Sequence, residues 1–294
     1  MGGTNSGHTV YKGNQKFIFR LLPTGIIEEH VCAVLPAGSY IDLEILEEEV
    51  RTIGLSKDRL FIDGNAVIIT EKNKRTEAAS GLRQAIGSTN SGTWAAIVER
   101  IRRKGDVFFA KNCNGLKEYI VDTKHLLRKA CDSGEKVIIE GTQGYGLSLL
   151  HAEDYPYATS RDTSAAGFLA ETGLSPFDVE NIIMVIRTFP IRVSGNSGPL
   201  KNEIDWEILR KELGCDEDMT EYTSCTNRVR RVARFDKDVV LRAIECNRPN
   251  IIVLNHLDYI ASGIRQKTIA ETASLLKRPV DYFGENPFTL SAMI

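Results

Sequence analysis

No apolar run in the 294 residues approaches the roughly 18 that a membrane-spanning helix needs. The opening MGGTNSGHTVYKGNQK has no apolar secretory segment either. Neither sign of charge dominates. The 37 Lys and Arg stand against 39 Asp and Glu, for a formal net charge of -2. Composition therefore shows no strongly charged face for nucleic acid or a membrane surface. The six cysteines (Cys32, Cys113, Cys131, Cys215, Cys225, Cys246) form no C-x-x-C pair. In a chain this long they read as reduced, structural thiols of a cytoplasmic protein. No repeat, low-complexity tract or Pro/Gly/Ser-rich linker interrupts the chain, so residues 1–294 are expected to form a single domain.

What is present is an ordinary globular composition, 42% hydrophobic and 26% charged. Apolar, β-branched runs recur at Lys136 to Glu140, Ile182 to Ile186 and Ile251 to Leu254. Continuous runs of this kind suit strands buried on both faces. Between them, Leu116 to Ala130, Asp238 to Ile244 and Thr268 to Leu276 carry helical spacing, with Gly134 as a stop for the first. The alternation predicts an α/β fold with a predominantly parallel central sheet and flanking helices. Residues 63–95 and 194–226 show little periodicity, and structureless stretches of that length usually bind something.

Ligand chemistry is expected where strands end in glycine- and hydroxyl-rich loops, since bare N–H groups there can cradle phosphates. Gly2 to Thr9 combines glycines with Asn5, His8 and Thr9, although a loose terminal tail has the same composition. Ile138 to Gly146 runs from a strand into a glycine loop. Thr223 to Arg231 places hydroxyls before Arg228, Arg230 and Arg231, a composition for carboxylate or phosphate capture or for a solvated basic face. Leu254 to Asp258 ends a strand on N-x-x-D. That carboxylate could accept from a guanine edge, or Asp258 could cap a helix.

In order along the chain, GGTNSGHT, RLLPTGI, IGSTNSG, EGTQG, DYPYATS, SCTNRVRRVARFD and NHLD resemble the successive signatures of the adenylosuccinate synthetase family. The resemblance implies a P-loop-NTPase-like fold and a ligase that joins aspartate to IMP with GTP. It implies His8 and Gln143 as the catalytic residues, His8 as general acid on the 6-oxygen. Asn5, Thr89, Arg103, Gln143, Thr159 and Arg228 would hold the purine nucleotide, Arg103 reaching into the neighbouring subunit of a homodimer. Arg102 is the alternative for that arginine. Ser224, Cys225, Thr226, Asn227, Arg228 and Arg230 would close on aspartate. Thr9, Arg230, His256, Asp258, Gly284 and Asn286 would serve GTP, and the Gly7 carbonyl would ligate one Mg2+ per subunit. Gln143, residues 224–230 and Asp258 are expected to converge at one carboxyl edge.

Members of that family begin with a strand and a W-G-D-E-G-K-G-type phosphate loop whose aspartate is base and metal ligand. Here Gly2 follows Met1 directly and no acidic residue precedes Glu28. The expectation is an N-terminally truncated, catalytically impaired chain. His256 stands where the family usually has lysine, and Asn227 where it usually has glycine. Gly195 to Leu200 and Arg230 to Asp236 look closer to short archaeal and phage-type members. Two alternatives stand beside the IMP ligase: a phage-type 2-aminoadenylosuccinate synthase acting on (d)GMP with GTP or ATP, and a non-catalytic nucleotide-binding paralogue.

Overall fold

Short polar side chains set where the helices of this chain begin. Asp42 accepts the Glu44 N–H at the start of α1 (Leu43–Ile53), which stops where Gly54 turns left-handed at φ +59°. Thr70 and Asn73 form a reciprocal capping box on α2 (Glu71–Ala79). The computed structural model describes residues 3–215, 217–223 and 227–292. It divides into two compact units, Met1–Asp178 and Val179–Ile294.

In the first unit, β1 (His8–Lys12) and β2 (Gln15–Phe19) make an antiparallel hairpin. Strands β3 (Ala33–Leu35), β5 (Leu60–Asp63) and β7 (Ile120–Val121) lie parallel in the order β3-β5-β7, and β4 (Tyr40–Ile41) pairs in parallel with β6 (Val67–Ile68). Phe19, Leu22, Ile26, Leu35, Ile41, Leu60 and Ile62 are fully buried in one cluster at their centre. Besides α1 and α2, the helices are α3 (Leu82–Ile86), α4 (Thr93–Arg102), α5 (Thr123–Asp132) and α6 (Ala165–Thr172).

In the second unit, β8 (Ile183–Arg187), β12 (Ile251–Asn255) and β13 (Tyr282–Asn286) run parallel, and β14 (Thr289–Ala292) joins β13 antiparallel. Ile252, Leu254, Leu257, Ile269 and Val280 form the core, against which α8 (Lys237–Asn247) and α9 (Ser262–Leu276) contribute Leu241, Ile244 and Ala273. A small antiparallel sheet of β9 (Ile191–Arg192), β10 (Glu203–Ile204) and β11 (Arg231–Ala233) is packed with α7 (Trp206–Leu213) through Phe189, Leu209 and Val232. Strand β8 is the sheet's outer strand among the described residues. Its Ile183 and Val185 are 58% and 61% exposed, while Ile186 enters the core.

The α/β class with parallel sheets and flanking helices agrees with the sequence reading, and β8 and β12 lie where their apolar runs predict. Three local expectations are corrected. Lys136 to Glu140 forms no strand: no described strand pairs with it, and Ile138 is 87% exposed. Leu116 to Ala130 is not one helix. A 3-10 turn (Asn114–Tyr119) and β7 precede α5, which starts where Asp122 accepts the His125 N–H. Residues 63–95 and 194–226 contain α2, α3 and α7. The sequence of α2, EKNKRTEAA, carries no apolar stripe and is fixed instead by polar contacts. Its buried Glu77 accepts from the Ser88 hydroxyl (2.6 Å) and the Trp94 N–H (3.2 Å).

Candidate active site

In the first unit, short-range contacts chain five of the motif segments together. Gly3 lies so close to Thr93 that a Cβ on it would fall 2.4 Å from the threonine methyl. That contact seats the 3–8 turn at the start of α4, beside the 88–92 loop. Arg20 donates to the Thr4 carbonyl (3.1 Å). The ring of His8 meets Glu140 (2.5 Å), at the head of the EGTQG segment. Beyond it, Gly144 accepts from the Thr163 hydroxyl (3.0 Å), and the Thr159 N–H donates to Leu147 (2.7 Å). Asn5, His8, Gln143 and Thr159 thus belong to one connected set of loops. Gln143 holds φ +71°, a left-handed conformation costly for a side chain with a Cβ.

Several buried polar atoms in this set have no hydrogen-bond partner among the described residues. They are Thr4 Oγ1, Ser6 Oγ, His8 Nε2 and Asn90 Oδ1. Buried polar groups are nearly always satisfied, so such a concentration in these segments marks a place for a polar ligand. His8 is the best defined. Its side chain is 10% exposed, with Nδ1 held by Glu140 Oε1. Glu140 Oε2 accepts from both the N–H and the hydroxyl of Thr24, each at 2.8 Å. Thr24 follows a turn that α1 fixes, where Glu49 accepts from the N–H groups of Arg20 (2.5 Å) and Leu22 (2.9 Å). Burial alone would raise the Glu140 carboxyl, but the His8 ring and the Thr24 donors overcome it and hold it below the usual range. An ionised carboxylate can only accept, so Nδ1 carries a proton.

The second unit gathers the remaining segments. Tyr222 and Thr223 are tied to Arg228 and Val229 by the Tyr222–Val229 bridge, by the Thr223 N–H to the Arg228 carbonyl (2.9 Å) and by the Arg228 N–H to the Thr223 hydroxyl (3.0 Å). Asn227 takes φ +47°, a left-handed conformation that asparagine tolerates better than most side chains. Beside that bridge, Glu221 pairs with Arg187 and lies 3.7 Å from Arg230. The Trp206 indole donates to the Arg230 carbonyl (2.7 Å). Arg187 also covers the Phe189 ring at 5.2 Å, and Phe189 packs against His256 and Tyr259. Burial, aided by the Arg187 charge, pushes the His256 ring down to about 3. Burial raises Asp258 above the ordinary carboxylate range.

His256 sits at φ +70° ahead of a 3-10 turn (Leu257–Tyr259), so Asp258 lies inside that turn and is not its cap. Gly284 is buried against Asn255, and Asn286 is exposed at the end of β13. Thr9, Gly7, Thr89 and Arg228 are exposed. Arg103 is exposed at the left-handed end of α4, φ +54°. Ser224, Cys225 and Thr226 lie outside the described residues. The sequence reading gave no role to Glu140, Thr24, Glu221 or Arg187. Glu140 and Thr24 stood inside quoted signatures, whereas no signal marked Arg187 or Glu221.

The family description for adenylosuccinate synthetase matches residues 1–111 and 106–273 of this chain. The adenylosuccinate synthetase of Methanococcus aeolicus is 37% identical over 259 residues, which cover 87% of this chain and 74% of that protein. That of Methanocaldococcus jannaschii is 38% identical, with 87% and 72% covered. Among solved structures, fully ligated adenylosuccinate synthetase from Plasmodium falciparum superposes with a TM-score of 0.88 at 19% identity, covering 100% of this chain and 92% of that one. At that identity the likeness concerns the fold. The succinoaminodeoxyadenylate synthetase of cyanophage S-2L, bound to dGMP and dATP, superposes at 0.80 with 27% identity, covering 99% and 87%.

Proposed function

We propose, on the premise that the chain belongs to the adenylosuccinate synthetase family, that it ligates L-aspartate to IMP at the expense of GTP in purine nucleotide biosynthesis. The observation that carries this reading is the buried His8 ring, fixed by Glu140 on one nitrogen and unpartnered on the other. Such a ring suits hydrogen-bond or proton donation to an oxygen that gains charge near neutral pH.

The 6-oxo group is a poor leaving group until it is phosphorylated. Its oxygen attacks the γ-phosphorus of GTP, the bond to GDP breaks, and the N1 proton passes to water. His8 Nε2–H donates to that oxygen as the transfer proceeds. The aspartate amine then attacks C6, phosphate departs with its electron pair, and the amine nitrogen loses a proton. Positioning and charge stabilisation supply most of the acceleration in phosphoryl transfer. Asn5, Thr89, Gln143 and Thr159 would hold the acceptor nucleotide, with Arg228. The 224–230 loop would take aspartate, Arg228 and Arg230 meeting its carboxylates. His256, Asp258, Gly284 and Asn286 would recognise the guanine base, and Thr9 and Arg230 the rest of GTP. The two units would then act as one synthetase-like domain.

The implied Mg2+ takes oxygen ligands. Among the described residues no group of three His, Cys, Asp or Glu gathers to hold a metal. The exposed Gly7 backbone would contribute one oxygen to an ion held chiefly by substrate phosphates.

The proposal includes a homodimer with Arg103 acting in trans. The start of α4 abuts the 3–8 turn, and Arg103 follows at its other end, about 15 Å along the axis. That is the wrong end to serve the turn of its own chain. Among the described residues no helix is long and apolar enough to cross a membrane. The protein is placed in the cytoplasm with its small-molecule substrates, and no nucleic-acid partner is assigned.

The test is phosphate release by the purified protein, first with IMP, aspartate and GTP, then with dGMP, aspartate and ATP. Turnover that needs IMP, aspartate and GTP together supports the reading. Turnover with dGMP alone moves the acceptor to a guanine nucleotide. Absence of turnover with either set overturns ligase activity in favour of nucleotide binding.

A further inference from the structure

The contact that distinguishes His8 from an ordinary half-buried histidine comes from 132 residues further along the chain. Both oxygens of Glu140 are committed: Oε1 to His8 Nδ1 at 2.5 Å, Oε2 to the N–H and hydroxyl of Thr24 at 2.8 Å each. The carboxylate plane is therefore held by bonds at both ends and cannot turn without breaking one. Three independent parts of the first unit meet here: the strand that begins at His8, the 20–24 turn anchored on Glu49, and the head of the EGTQG segment. A carboxylate on one imidazole nitrogen sets the ring's orientation and selects which nitrogen remains for other work.

We propose that Glu140, clamped by Thr24, is the positioning residue that fixes the His8 ring with Nδ1 protonated and turns Nε2 to the reacting oxygen. This rests on the reading of His8 as donor to the 6-oxygen. Glu140 touches neither substrate nor phosphate. It acts through the ring, by holding it in one orientation and by balancing the charge of the imidazolium, the form in which Nε2 can donate while Nδ1 stays bonded to Glu140. Thr24 acts one step further out, by keeping Oε2 occupied so that Oε1 stays on the ring.

The full-length protein is assayed as wild type, Glu140→Ala, Glu140→Gln, Thr24→Val, His8→Asn and the double variant His8→Asn/Glu140→Ala. Loss of His8 should lower kcat within the roughly 10²–10⁴-fold range that a positioned acid contributes. Glu140→Ala should lower kcat by a substantial part of that, with KM for nucleotide and aspartate within about twofold of wild type. Glu140→Gln keeps an acceptor of the same shape and should restore part of the loss, and Thr24→Val should cost less than Glu140→Ala. The double variant should be no slower than His8→Asn, since the two residues act as a unit. Nitrogen NMR of the His8 ring gives a readout that does not depend on turnover. It should report protons on both ring nitrogens in wild type and a larger share of neutral ring in Glu140→Ala at the same pH. If His8→Asn leaves kcat unchanged, the reading of His8 as donor fails. If His8→Asn is slow but Glu140→Ala is not, or if their effects multiply, Glu140 has no positioning role. Should Glu140→Ala not fold, the isosteric Glu140→Gln carries the same comparison with His8→Asn, and equal turnover to wild type together with an unchanged ring spectrum overturns the proposal.

Discussion

The Arg187 guanidinium, at the carboxyl end of β8, is bonded to the Glu221 carboxylate, next to the Tyr222–Val229 bridge. One carboxylate thereby serves two arginines, since Arg230 lies 3.7 Å from its other oxygen. Both partners are largely shielded from solvent, so the pair is worth more than a surface ion pair. Replacing Glu221 with alanine leaves Arg187 beside the Phe189 ring without its counter-charge. The expected cost is about 1–3 kcal/mol in denaturant unfolding. A rise in KM for aspartate that exceeds any rise for IMP should accompany it, because the Tyr222–Val229 bridge loses its anchor. Equal shifts in both KM values would show that the pair does not set that bridge.

His256 gives a pH dependence with a definite sign. Its ring has an ordinary value of 6.5 in the free chain and about 3 in the folded one, because burial disfavours the cation. Between those values the unfolded chain binds a proton that the folded chain refuses. Stability therefore falls as pH drops through that window, by at most about 1.4 kcal/mol per unit. Urea unfolding at pH 7 and pH 5 should show this loss. His256→Gln should flatten the difference, and an equally steep wild-type and variant response would assign the effect to other groups.

A methyl group on Gly284 would fall 2.1 Å from Asn255 Oδ1, but 3.7 Å from the nearest backbone atom. Only the end of a short side chain must move. Gly284→Ala is thus expected to cost about 1 kcal/mol of stability. Its larger effect should appear in the KM for the triphosphate, since Asn255 opens the NHLD segment and would be pushed from its present place. Thermal unfolding and triphosphate titration measure the two effects separately.

Arg103 offers a test that a surface arginine would fail. Alone, Arg103→Ala and His8→Asn should each be slow. Mixed and allowed to exchange subunits, they should regain part of the wild-type activity, because one hybrid site holds an intact His8 and receives the partner's intact arginine. Sedimentation of Arg103→Ala should match wild type. No regain on mixing, with exchange demonstrated, would remove the trans role; Arg102→Ala run in parallel identifies which of the two arginines carries it.

Periodicity made β8 and β12 legible because both carry unbroken apolar runs; β12 is buried on both faces as its run predicts, whereas β8 leaves Ile183 and Val185 in solvent. The same signal misled at Lys136 to Glu140, where β-branched residues meet no neighbouring described strand and Ile138 stays in solvent. Helix α2 was hidden for the opposite reason. Its stability comes from the Thr70 and Asn73 cap and from buried Glu77, features that a count of apolar positions cannot register. Of the site, the glycine-rich segments and their polar residues could be read directly. The contact between His8 and Glu140 could not, because pairing over 132 positions is set by tertiary structure and leaves no local pattern.

The outer edge of β8 has a bearing on how the protein must be handled. Among the described residues no strand pairs with that edge, and an open ladder with half-exposed Ile183 and Val185 is a template for any other extended chain. Bacterial overproduction should therefore favour inclusion bodies at high induction, and concentrated stocks should turn cloudy on storage before they lose secondary structure. A lysine at position 183 would blunt the template by charge, leave the inward-facing Ile186 alone, and extend the shelf life of the sample.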